Sequence, residues 1–323
     1  MKNILDTILV IFFKLIFFLL QLLPTKVSIK LLQIFFNIFF SIFKKFKKTA
    51  YTNFRLCLKN HPAETHNKLF QDFIFHLSAN LTLFLRFKSF TPEYLNQISN
   101  LQETIAHLQS LSNQNPGKAI LVLSMHYGLF ECLLPTKALL FRKGNGVARS
   151  FGLKKLDNLW NSYRSLHGTK IISRAGAFKD IISSLQHGED ISMLADQNVK
   201  ANHAVFIDFF GLKASAAKSF ALAALRTDSP IAIVTAKAVK EGINHSSIKD
   251  GIDQSRDLRL HFTFHHIDTT TDQHLDNDQR VQLITQKIYN IFEQIILSDP
   301  APWFWVHRRF KTRPNGEPEN LYT

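Results

Sequence analysis

Leu121-Val122-Leu123-Ser124-Met125-His126-Tyr127-Gly128-Leu129-Phe130-Glu131 carries an apolar, strand-like run straight into a histidine, a glycine and a carboxylate. Five residues turn through roughly 500° on a regular helix, so His126 and Glu131 would project about 140° apart if one helix carried both. They share no helical face. The stretch makes chemical sense if residues 121–125 form a buried strand, His126 and Tyr127 lie in a loop, and Gly128 turns the backbone into a helix that carries Glu131 back toward that loop. A carboxylate that accepts the imidazole Nδ1–H fixes the tautomer and leaves Nε2 free to take a proton from a hydroxyl. By spacing alone, a core histidine satisfied by a nearby acid is the more common explanation, so the pair needs support from the rest of the chain.

The chain has 323 residues, enough for one large α/β domain or two small ones. Lysine and arginine number 39 against 25 aspartates and glutamates, a formal net charge of +14. That balance favours an anionic partner such as nucleic acid, an acidic protein or anionic lipid. The basic residues are scattered and no nucleic-acid-binding motif is present, so the first of these is not expected. Cys57 and Cys132 supply neither a metal-ligand spacing nor a disulfide framework, and point to a reducing compartment.

The amino-terminal end carries a membrane signal. Residues 4–23 match the roughly 20 residues that cross a hydrocarbon core, although Asp6 and Lys14 interrupt them. With Gln21 these fall within about 80° on a helical projection, so either a helix lying in the interface or one crossing with its polar stripe covered by protein fits. A second run, 31–43, is too short to span unaided and reads as interfacial or re-entrant. Lys44, Lys45, Lys47 and Lys48 follow, as a cytoplasmic anionic leaflet would favour, which places the remaining chain on the cytoplasmic side. The expected organisation is an anchoring segment over 1–48 and a second domain over 49–323.

Further along, periodicity predicts helices over 65–87, 94–112, 128–141, 177–186 and 214–226. Short apolar runs at 119–124, 191–194, 205–210 and 231–234 alternate with them as strands. This order predicts an α/β fold with a mostly parallel central sheet flanked by helices, preceded by the hydrophobic anchoring helix. Active groups in such a sheet lie at the carboxyl ends of strands, where His126, Asp196 and Asp208 are expected.

The string Pro302-Trp303-Phe304-Trp305-Val306-His307-Arg308-Arg309-Phe310-Lys311-Thr312-Arg313-Pro314 resembles the carboxyl-terminal signature of the late acyltransferases of lipid A biosynthesis. With it come the His-x4-Glu block from His126 to Glu131, Leu194-Ala195-Asp196-Gln197, and Phe206-Ile207-Asp208-Phe209-Phe210-Gly211 before an alanine-rich stretch. The resemblance covers nearly the whole chain. It implies an enzyme of the bacterial inner membrane that moves a fatty acyl chain from acyl carrier protein to the hydroxyl of a 3-hydroxyacyl chain on a lipid A precursor. His126 would then be the general base and Glu131 its orienting carboxylate, with direct transfer, no covalent enzyme intermediate, and no metal or cofactor.

Arg164 falls where that family has an important arginine, and with Arg149 it would fork onto a phosphate or steady charge developing on the thioester oxygen. Asp196 would bind a polar sugar group or support an arginine, with helix capping a close alternative. Arg308 and Arg309, beside Lys311 and Arg313, suit the acceptor's phosphates, the anionic leaflet or the acidic carrier. Residues 200–203 and 241–257 match nothing in the family pattern. A related acyltransferase with a glycerolipid or other glycolipid acceptor, and a catalytically dead membrane-surface scaffold, are the competing readings.

Overall fold

A computed structural model describes residues 2–240, 258–270, 274–317 and 321–322; the polar segment 241–257 lies outside them. The chain opens with the helices α1 (Lys2–Leu22), α2 (Thr25–Ile42), α3 (Lys44–Cys57), α4 (His66–Arg86), α5 (Pro92–Ile98) and α6 (Leu101–Gln114). There follow β1 (Leu121–Ser124), α7 (Phe130–Leu140), β2 (Gly144–Ala148), α8 (Lys154–Arg164), β3 (Lys170–Ser173), α9 (Phe178–Gln186) and β4 (Asp190–Leu194). A hairpin of β5 (Ala204–Phe209) and β6 (Leu212–Ala217) leads through α10 (Ser219–Thr227) to β7 (Ile231–Lys240), β8 (Leu258–Ile267) and α11 (Asn277–Ser298).

Among the described residues the main sheet runs in the order β3-β2-β4-β1-β7-β8, parallel throughout except for the β7–β8 pair. All four residues of β1 are buried, as an apolar run covered on both faces requires. Successive side chains alternate between faces. Leu121 and Leu123 enter one apolar cluster with α9, α10 and α11, while Val122 enters a second with α4, α5 and α6. This is the α/β architecture expected, with helices covering both faces of the sheet.

Two helices differ from the periodicity reading. The predicted helix over 94–112 breaks between α5 and α6 because the Asn100 side chain turns away to bond Phe262 on β8, donating to its carbonyl at 3.0 Å and accepting from its N–H at 2.7 Å. The alanine-rich stretch 214–226 is a strand as far as Ala217 and a helix only afterwards. Phe210 and Gly211, both at positive φ, turn a tight hairpin there, and the antiparallel pairing of β5 with β6 overrides the helical preference of alanine. Asp208 consequently lies exposed on that hairpin, bound to Lys213, and not at an edge of the main sheet.

The first two helices dock on the rest of the molecule by one face only. On α1, Phe17 packs edge-on against Trp160 and Tyr163, each 6.0 Å away, and the buried Asp6 carboxylate accepts the Lys155 and Leu156 N–H groups at 2.8 and 3.1 Å. Those groups belong to the first turn of α8, which has no intrahelical acceptor for them. Gln21 donates to the Tyr163 hydroxyl, whereas Lys14 stays exposed. The opposite faces present Ile8, Phe12, Leu15 and Leu19 on α1 and Leu31, Phe35, Ile38 and Ile42 on α2 to the outside. Helix α2 begins earlier than the apolar run suggested, so both helices are long and apolar enough to cross a membrane by length and composition. Together they suggest membrane association. The lysines that follow lie exposed on α3, a helix that runs unbroken past residue 48.

Candidate active site

Strands β1 and β4 pair in parallel register, Ser124 beside Leu194. Two residues beyond each lie His126 and Asp196, so the two side chains meet across the carboxyl edge of the sheet. Asp196 Oδ1 sits 2.8 Å from His126 Nδ1, and Oδ2 accepts the His126 backbone N–H at 3.1 Å. The same Oδ2 accepts the Trp303 indole N–H at 2.9 Å. Burial alone would raise the Asp196 carboxyl, but His126 and these hydrogen bonds outweigh it and hold the group at about 2. An ionised carboxylate only accepts, so Nδ1 carries a proton, and the neutral imidazole keeps its lone pair on Nε2.

The turn that presents His126 is tightly enforced. Gly128 has φ +53°, and a Cβ there would stand 2.2 Å from the Ala236 carbonyl oxygen. The Leu129 N–H donates to that same oxygen at 2.7 Å, fastening the loop to β7. From the other side the carboxyl-terminal block closes on it: the Phe304 N–H donates to the His126 carbonyl and the Gly128 N–H to the Pro302 carbonyl, each at 2.9 Å. The imidazole lies between the Phe130 and Phe304 rings, 5.1 and 5.9 Å away.

Glu131 is placed differently from its expected role. The carboxylate on His126 Nδ1 is Asp196, not Glu131. Glu131 instead takes the guanidinium of Arg164 in a two-pronged pair, Nε to Oε2 at 2.8 Å and Nη2 to Oε1 at 2.6 Å, with the Trp160 indole 3.2 Å from Oε1. The Glu131 N–H donates to Asn80 at 3.2 Å. Because α7 begins at Phe130, Glu131 points toward α8 and the Nδ1 side of the imidazole is already filled.

His126, Glu131, Arg164 and Arg149 line one cleft of about 1880 Å³. Pockets for small ligands commonly measure about 300–1,000 Å³, so this one suits something larger. Part of the lining is apolar, with Phe13, Leu101, Ile105, Leu108, Val122 and Phe262. Cations line it too: Arg149 and Arg174 emerge from the ends of the neighbouring strands β2 and β3, and Lys200, Lys218 and Lys311 join them in the lining. Among the described residues Glu131 is the one carboxylate lining the cleft.

The carboxyl-terminal basic cluster divides. Arg308 is exposed, its guanidinium 5.9 Å from the Tyr322 ring centre. Arg309 is only 1 % exposed, donates to the Ser215 carbonyl at 2.7 Å and lies over the Phe209 and Tyr289 rings, so it cannot touch a carrier or a phosphate at the surface. Arg313 is also turned inward, to the Lys213 carbonyl and Glu317. Trp305 is core, packed on Phe54, and Trp303 serves Asp196. His307 accepts the Asn198 N–H through Nε2 at 2.9 Å, and burial lowers its pKa to about 4, so it stays neutral.

Fold and site thus define an α/β protein that holds a carboxylate-backed imidazole in a large cleft lined by apolar and cationic side chains. The profile of the family described as bacterial lipid A biosynthesis acyltransferase matches residues 2–312, and the chain belongs to that family. A lipid A biosynthesis acyltransferase of Haemophilus influenzae is 23 % identical over 210 residues, 65 % of this chain. The match spans 61 % of that relative's length.

Proposed function

We propose that the chain transfers a fatty acyl group from acyl carrier protein to the hydroxyl of a 3-hydroxyacyl chain on a lipid A precursor, at the cytoplasmic face of the bacterial inner membrane. The observation that carries this reading is His126, its Nδ1 held by ionised Asp196, in the wall of a cleft lined by both apolar and cationic side chains. A secondary hydroxyl is too weakly acidic to attack a thioester unaided at neutral pH. His126 takes its proton as the oxygen closes on the carbonyl carbon, and returns that proton to the departing thiolate. Asp196 keeps the tautomer and steadies the imidazolium. The apolar part of the lining takes acyl chain, and Arg149 with Arg174 binds the phosphates of the disaccharide. Glu131 acts through Arg164, fixing α8 as a wall of the cleft. Exposed Arg308 remains available to the acidic carrier.

The test is mass spectrometry of a tetra-acylated, bis-phosphorylated disaccharide after incubation with a mixture of acyl carrier protein thioesters. One added acyl chain is expected from the native protein. From His126→Ala the yield is expected to be at least about 10²-fold down, and none is expected from an acceptor whose 3-hydroxyl is replaced by hydrogen. Product from the 3-deoxy acceptor, or transfer only to a glycerolipid offered in competition, would overturn the proposal.

A further inference from the structure

Beside His126 stands a side chain with no part in the scheme above. The amide nitrogen of Gln197 lies 3.2 Å from His126 Nε2. With Nδ1 committed to Asp196, Nε2 is an acceptor, so the nitrogen of the amide faces it and donates. Among the described residues this is the amide's single hydrogen bond. The backbone on either side is held firmly. Asp196 is tied to Trp303, while Asn198 donates its N–H to His307 and through Oδ1 accepts the Thr312 N–H at 2.8 Å and the Ser215 hydroxyl at 3.1 Å.

We infer that Gln197 donates the hydrogen bond that stabilises the oxyanion of the tetrahedral intermediate, an assignment that rests on the acyl-transfer reading. The argument is positional. The acceptor hydroxyl must reach Nε2 to lose its proton, which displaces the amide from that nitrogen. The attacked carbonyl then lies within one bond of the hydroxyl oxygen, and its own oxygen within hydrogen-bond reach of an amide that began 3.2 Å from Nε2. The new C–O bond forms as the O–H proton passes to Nε2 and the carbonyl π pair moves onto oxygen, where the Gln197 N–H meets it. Collapse restores the carbonyl, breaks the C–S bond, and the thiolate takes the proton from Nε2. A donor to an anion binds it more strongly than it binds neutral imidazole, so the exchange favours the intermediate over the resting site. Arg164, the other donor expected to serve here, has Nε and Nη2 occupied by Glu131.

Loss of one oxyanion donor costs about 10²- to 10³-fold in kcat. Gln197→Ala is therefore expected to lower kcat by about that factor while leaving the KM for acceptor, and the affinity for the 3-deoxy acceptor, within about twofold. Gln197→Glu keeps the shape but presents negative charge, and should lose at least as much; it also keeps the inference testable if the alanine variant folds poorly. Near-native kcat in either folded variant, or a loss confined to KM, would overturn it. Failure of the native protein to transfer acyl groups at all would instead sink the reading beneath it.

Discussion

Asp196 is the residue on which the site turns. Replacing it with asparagine keeps the volume but offers Nδ1 an amide that can donate, which favours the wrong tautomer and removes the charge that steadies the imidazolium. Asp196→Asn should cut turnover by about 10²- to 10⁴-fold with acceptor affinity little changed, since the group touches the base and not the substrate. Steady-state kinetics would check it, and near-native turnover would remove Asp196 from the mechanism. His307 allows a separate test through stability. Its folded pKa is lowered by burial from 6.5 to about 4, so between those values the unfolded chain binds the proton more readily. Stability should be complete above pH 6.5 and fall by roughly 3 kcal/mol toward pH 4, with no further loss from this group below that. In denaturant titrations His307→Gln, which keeps an acceptor for the Asn198 N–H, should flatten that part of the curve. At this scale the sequence was half legible. His126 announced itself through its strand, loop and glycine. Its carboxylate partner did not, because Asp196 lies 70 residues away and joins His126 only through the parallel register of β1 and β4. Burial of Arg309 was equally hidden, since a dense run of cations reads as surface until the rings beneath it are known.

Between elements, contacts of few atoms decide the geometry. At Gly128 a methyl group would meet the Ala236 carbonyl at 2.2 Å on a backbone already at positive φ, and neither strand nor loop has room to give. Gly128→Ala should therefore destabilise the protein by about 1–3 kcal/mol and lower activity further by moving His126. Native activity and melting temperature in that variant would show that the loop is softer than its contacts imply. Arg86 does comparable work at the corner between α1 and α2. Its guanidinium donates to the Leu20 and Leu23 carbonyls and to the Ser28 hydroxyl, which ties the end of α1 and the start of α2 to α4. The central strands and most helices could be read from periodicity. The corner, the Asn100 break and the β5–β6 hairpin could not, because each is set by a partner remote in sequence and not by local preference.

For the whole molecule, α1 has two faces with separate duties. One carries Phe13 into the cleft wall, Phe17 onto α8 and Asp6 onto the α8 amino terminus. The other leaves Phe12 and Leu15 more than half exposed, and α2 likewise exposes Leu31 and Phe35. Deleting residues 1–48 would remove both faces at once, so activity should fall in detergent as well as on membranes. Charging only the outer face separates the two. Phe12→Glu, Leu15→Glu and Phe35→Glu together should release the protein from lipid vesicles, since each places a carboxylate where the hydrocarbon or its boundary would lie, at a cost of a few kcal/mol per residue. The same variant should keep its fold and stay within about twofold of native activity on detergent-dispersed acceptor, because no substituted side chain lines the cleft. Vesicle flotation and the acyl-transfer assay read the two effects independently. Continued flotation with lipid would place the membrane contact elsewhere, on the catalytic body or the exposed lysines of α3. Loss of detergent activity with flotation intact would show instead that the outer face of α1 serves the cleft and not the bilayer.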